Sequence, residues 1–73
     1  MMTMSDLQYH TRKSSIAFVV YEKTTIIWRV RPDKHSWEVL WFTNNLCTRT
    51  ELFNQYEKAQ KYFTQLSMSV INK

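Results

Sequence analysis

Apolar residues recur at every second position from residue 16 and at every third or fourth position after residue 54. The first spacing is that of a half-buried strand and the second that of an amphipathic helix, so strands precede a helix. Ile16, Phe18 and Val20 alternate with Ala17, Val19 and Tyr21, and the mix of β-branched and aromatic residues suits a pleated surface. Glu22-Lys23 is a short polar break. A second strand, Thr24 to Arg31, sets Ile26, Trp28 and Val30 on one face and Thr25, Ile27, Arg29 and Arg31 on the other. Pro32-Asp33-Lys34-His35 reads as a turn, since proline fixes φ and cannot donate to a ladder. A third strand, Ser36 to Phe42, groups Trp37, Val39 and Trp41 against Glu38, Leu40 and Phe42.

Thr43-Asn44-Asn45 reads as a hairpin turn, with asparagine taking the positive φ that tight hairpins require. Leu46 to Leu52 admits two readings. Cys47-Thr48-Arg49-Thr50 suits a fourth strand, whereas Thr48-Arg49-Thr50-Glu51 fits a helix capping box. The later helix start at Asn54-Gln55-Tyr56-Glu57 is preferred, because threonine-rich segments favour strands. Tyr56, Ala59, Phe63 and Leu66 then form one face of a helix over residues 55–66, with polar residues on most of the remainder. Residues 67–73 could pair as a short edge strand or pack as a stub.

The expected architecture is α+β: an antiparallel β-meander of three to four strands packed by one C-terminal amphipathic helix. The helix is expected on the sheet face carrying Ile16, Phe18, Val20, Ile26, Trp28, Val30, Trp37, Val39 and Trp41. Residues 1–14, polar and weakly patterned, read as a flexible N-terminal arm, leaving residues 15–73 as a single α+β domain. The order of elements is similar, in layout alone, to small DNA-binding arms of integrases and to small phage-encoded inhibitors of host proteins. That likeness implies an accessory protein of a phage or mobile element.

Composition removes several chemistries. The 73-residue chain has no glycine. Phosphate-cradling loops, dinucleotide fingerprints and nucleophile elbows all need glycine for close backbone approach, so each is excluded. One cysteine and two histidines are too few for a structural zinc site within the chain, and six scattered carboxylates do not make a calcium loop. No metal and no cofactor is expected. A Cys47–His10 or Cys47–His35 nucleophilic pair is the residual enzymatic option, but a lone cysteine on a strand reads better as a small buried hydrophobe. His35 reads as a solvated turn residue. The expectation is a protein that is not an enzyme.

Size and cysteine usage point to setting and partners. A chain this short buries only about 60% of its unfolded surface, and disulfides, metals or partner chains commonly supplement such cores. With a single cysteine no internal disulfide forms, which suggests the reducing cytosol and a cytoplasmic protein. A second subunit, giving a homodimer, is the remaining support. The Met1-Met2-Thr3-Met4-Ser5-Asp6 start lacks a signal peptide's basic and apolar regions, and no apolar run approaches a membrane span.

Net charge is +4, and its distribution is uneven. Residues 23–37 hold Lys23, Arg29, Arg31 and Lys34 against Asp33 alone, while residues 38–57 are acidic on balance. With the strands as drawn, the sheet face away from the helix carries Tyr21, Ile27, Arg29, Arg31, Leu40 and Phe42, with Arg49 across the hairpin. Arginine interleaved with aromatic and aliphatic residues suits a protein interface, and those seven residues are the candidate binding set. The expected function is a small non-catalytic module that binds and modulates a larger protein. The alternative is nucleic-acid binding, with bases stacked on rings and phosphates met by guanidinium groups; Glu38 on that face opposes it. Trp28, Trp37 and Trp41 read as core rather than as an aromatic platform.

Overall fold

The polar break Glu22-Lys23 decides how the sheet is assembled. Two residues are enough to close a hairpin, and the residues flanking such a loop become direct cross-strand partners. In the computed structural model, which describes residues 15–33 and 35–71, Tyr21 faces Thr24 in just this way. The described elements are β1 (Ala17–Tyr21), β2 (Thr24–Val30), β3 (Trp37–Thr43), β4 (Leu46–Phe53) and α1 (Tyr56–Ile71). The strands form one antiparallel sheet in the order β1-β2-β3-β4, with α1 on one face. The fold is the expected α+β meander and helix. The arm expected over residues 1–14 lies outside the described residues.

The Leu46–Leu52 segment is a strand, as its threonines suggest, and the helix opens later at Tyr56 with Glu57 in its first turn. An acidic side chain there complements the positive end of the helix dipole. The expected end at residue 66 is too early. The helix runs on to Ile71, because Ser67 and Val70 extend the buried stripe of Ala59 and Phe63 by another turn. The Ser67 hydroxyl donates to the Phe63 carbonyl at 2.8 Å, which satisfies it inside the layer interface.

Without glycine, other residues occupy the left-handed region. Asn44 and Asn45, at φ 53° and 68°, close the β3–β4 hairpin as expected. Glu22 does the same at φ 55° in the β1–β2 turn, where no asparagine or glycine marks the position in advance.

The core lies between the sheet and α1. Ile26, Trp28 and Val39 meet Ala59, Phe63 and Val70, and Ala17, Val19, Trp37, Trp41, Phe53, Tyr62 and Leu66 pack around them. The tryptophans are core or core-edge residues, as read. Trp28 is the centre, with Tyr56 and Phe63 rings at 5.0 and 5.8 Å.

The β1 assignment is corrected. Because Tyr21 opposes Thr24, parity places Ala17, Val19 and Tyr21 on the helix side with Ile26 and Trp28. Ile16, Phe18 and Val20 therefore belong to the opposite, outer face. The polar break fixes this, since a two-residue loop leaves the flanking positions on a common face.

Candidate interaction surface

Three places concentrate exposed or chemically distinct side chains: the outer sheet face, the β4 edge, and a corner between β3 and β4 on the helix side. Strand parity assigns Phe18 and Val20, Thr25, Ile27 and Arg29, Glu38, Leu40 and Phe42, and Thr50 and Leu52 to the outer face.

Of the seven expected binding residues, Ile27, Arg29, Arg31, Leu40 and Phe42 do share the outer face. Tyr21 does not, for the parity reason given above. Arg49 does not either, and here the cause is a bulge. Phe42 pairs with Cys47 while Trp41 pairs with Arg49, so Thr48 is an extra residue on β4. A regular ladder would put Arg49 opposite Leu40 on the outer face. The bulge turns it onto the helix side, where its guanidinium lies 5.8 Å from the Trp41 ring. Nothing in the residue pattern announces that insertion.

The central outer face is not open. Ile27 is 0% exposed and Phe42 5%. Glu38 is buried as well, between two arginines. Arg29 Nε donates to Glu38 Oε1 at 2.5 Å, and Arg31 Nε lies 3.9 Å from Oε2, an electrostatic contact beyond hydrogen-bond range. Arg29 is thus committed to this carboxylate, and Arg31 is drawn to it more weakly.

The turn beyond them is held by Asp33. His35 donates its backbone N–H to Asp33 Oδ1 at 2.9 Å, and the Ser36 hydroxyl donates to the same carboxylate at 3.2 Å. The His35 N–H, aided by Ser36 and the charges of Arg31 and His35, holds the Asp33 carboxyl below the usual range despite some desolvation.

The β4 edge is different. Every β4 residue except Phe53 is exposed, including Leu46 and Leu52 at 55% each. Beside it, Trp41, Thr48 and Arg49 line an open cleft of about 290 Å³. The Trp41 indole N–H donates to Thr43 Oγ1 at 3.0 Å, which fixes the ring against which Arg49 rests. Cys47, expected as a buried hydrophobe, is exposed instead, because it sits on this uncovered edge. Its sulfur lies 3.4 Å from Thr50 Oγ1 and 3.6 Å from the Arg49 carbonyl.

Among the described residues no group of His, Cys, Asp and Glu gathers that could hold a metal ion, and no helix is long and apolar enough to cross a membrane. The chain matches no known family, no curated protein and no solved structure.

Proposed function

We propose that this protein is a small non-catalytic interaction module that binds and modulates a larger protein through the β4 edge and the adjoining Trp41–Arg49 corner. One observation carries the reading: an eight-residue edge strand is exposed along nearly its whole length and bears two large aliphatic side chains. Exposed strand edges offer unpaired backbone donors and acceptors, and natural proteins commonly cover or blunt them. Strand addition by a partner uses those backbone groups for affinity and flanking side chains for selectivity. Leu46 and Leu52 supply apolar contacts. Arg49 on Trp41 supplies a cationic and aromatic anchor of the kind that dominates interfaces.

The bulge at Thr48 interrupts the edge near the hairpin, which leaves Arg49–Phe53 as the regular stretch for pairing. The partner class is protein, a second copy of this chain included. A cytosolic setting goes with it, supported by the lone cysteine. Nucleic-acid binding through the outer face draws less support, since Glu38 pairs with Arg29 and places its negative charge beside Arg31.

The test compares capture of host proteins by the native chain and by a Leu46→Lys/Leu52→Lys double variant, with sedimentation of each chain alone as the self-association control. Loss of a specific captured protein, or of self-association, in the double variant is the expected result. Capture that is indifferent to both lysines overturns the β4 assignment. A complex with short DNA or RNA that weakens steeply with salt would transfer the function to nucleic acid.

A further inference from the structure

The charges of β4 are arranged to suit a second copy of the same strand. Arg49, Thr50 and Glu51 are consecutive and exposed. Arg49 pairs with Trp41 and Glu51 with Val39, so both charges stand on the helix side. Thr50, opposite Leu40, stands on the outer side. Cross-strand neighbours of opposite charge stabilise an antiparallel pair, and like charges directly opposite destabilise it.

The backbone of the edge restricts how another strand can meet it. Asn44 and Asn45 make a two-residue loop, so Thr43 and Leu46 are a mutually hydrogen-bonded pair. The next pair, Phe42 with Cys47, is of the non-bonded kind, and the two kinds alternate along the ladder. The bulge takes one step of that alternation. Thr50 and Leu52 therefore fall in non-bonded pairs with β3 and turn their N–H and C=O groups to the free edge. A strand that adds to this edge sets its own outward-turned residues opposite these two.

We propose that the β4 edge is occupied by β4 of a second copy, antiparallel about a two-fold axis at Thr50. The inference rests on the reading of β4 as a docking edge and names its occupant. With the axis at Thr50, Arg49 of each copy faces the partner's Glu51, so the opposite-charge pair is made twice. The two Thr50 residues then exchange backbone hydrogen bonds. Neighbouring two-fold registers lose this match. An axis at Glu51 opposes two carboxylates, and an axis at Leu52 sets Glu51 against the partner's Phe53. A second copy supplies an arginine and a glutamate at the required two-residue separation by symmetry, with no further residue needed.

The contact is small. One short strand from each copy falls below the roughly 1,200 Å² of stable interfaces, and the bulge at Thr48 ends the regular stretch at Arg49. Pairing is therefore reversible and grows with concentration. It covers the backbone groups that a larger protein would use at this edge, so the two compete. A larger partner binds the single chain and draws the pair apart.

Sedimentation equilibrium of the full chain measures the association, and amide hydrogen exchange reads the edge. The native chain should self-associate, with protection of the Thr50 amide rising with concentration. Arg49→Glu and Glu51→Arg each set like charges opposite one another at both pairs, and each variant alone should associate roughly tenfold more weakly. An equimolar mixture of the two restores both opposite-charge pairs and should recover the association, as should the double variant Arg49→Glu/Glu51→Arg. Recovery in the mixture also shows that each variant is folded. Recovery in the mixture but not in the double variant assigns the axis to Glu51 and overturns this register. A native chain that stays monomeric, or association indifferent to the charge swaps, overturns the two-fold pairing. Docking of a larger protein at β4 survives that result if capture of a host protein is still lost in Leu46→Lys/Leu52→Lys, and fails separately if capture ignores those lysines.

Discussion

At the scale of the residue, the absence of glycine leaves a measurable mark. Three described non-glycine residues hold positive φ: Glu22, Asn44 and Asn45. Asparagine tolerates this region, whereas a glutamate there carries a steric cost of about 1–2 kcal/mol. Glu22→Gly relieves that cost but loosens the unfolded chain by about 0.4–1 kcal/mol. The expected net gain is a few tenths to about 1 kcal/mol, read as a higher urea midpoint with unchanged slope. Asn44→Ala should move the midpoint the other way, since alanine lacks asparagine's tolerance of the left-handed region.

Asp33 gives a prediction in pH. Its carboxyl is held below the usual range, chiefly by the His35 N–H. A depressed folded value means that the contribution to stability is present above the unfolded pKa and is lost as pH falls through the folded one. An NMR titration should therefore place Asp33 below unstructured aspartate. The stability difference between the native chain and Asp33→Asn should shrink on acidification and vanish below the folded value. A normal titration for Asp33 would refute the assigned hydrogen bonding.

At the scale of the element, periodicity disclosed three strands and the helix, while the threonines of residues 46–52 only favoured a fourth strand over an early helix start and the asparagines marked the hairpin before it. Face assignment was legible wherever the turn fixed the register. For β1 the information was present in the two residues of Glu22-Lys23, and counting across that loop places Ala17 and Val19 inward. Arg49 was not legible. Its position depends on one extra residue at Thr48, which is a property of the β3–β4 pairing and not of either strand alone. Burial of the outer face was equally hidden, since alternation describes two faces without saying what lies over either.

The bulge has its own test. Deleting Thr48 keeps Arg49 opposite Trp41 but straightens the strand, because Cys47 and Arg49 then follow one another against Phe42 and Trp41. Bulges help to protect edges from unwanted pairing. The deletion should increase concentration-dependent association in sedimentation velocity, and Leu52→Lys on top of it should reverse the increase. A deletion variant no more associated than the native chain would show that Thr48 does not protect this edge.

At the scale of the whole molecule, stability and recognition rest on separable sets of residues. A domain of this length has a total stability of roughly 4–11 kcal/mol. The helix-side core is a small set around Trp28, and Phe63 is its main contribution from α1. Phe63→Ala removes a buried ring at a cost of about 3–5 kcal/mol, which is a large share of that total. Arg49→Ala, by contrast, removes an exposed cation–π contact of about 0.5–1 kcal/mol, and Leu52→Lys alters a side chain already more than half in solvent. Urea unfolding followed by tryptophan fluorescence should rank them accordingly, with Phe63→Ala largely unfolded at low denaturant and the two β4 variants near the native midpoint. Partner binding should show the reverse order of sensitivity among the folded variants, with Arg49→Ala and Leu52→Lys weakened. If either β4 variant instead loses as much stability as Phe63→Ala, that side chain belongs to the fold, and its effect on binding says nothing about where a partner docks.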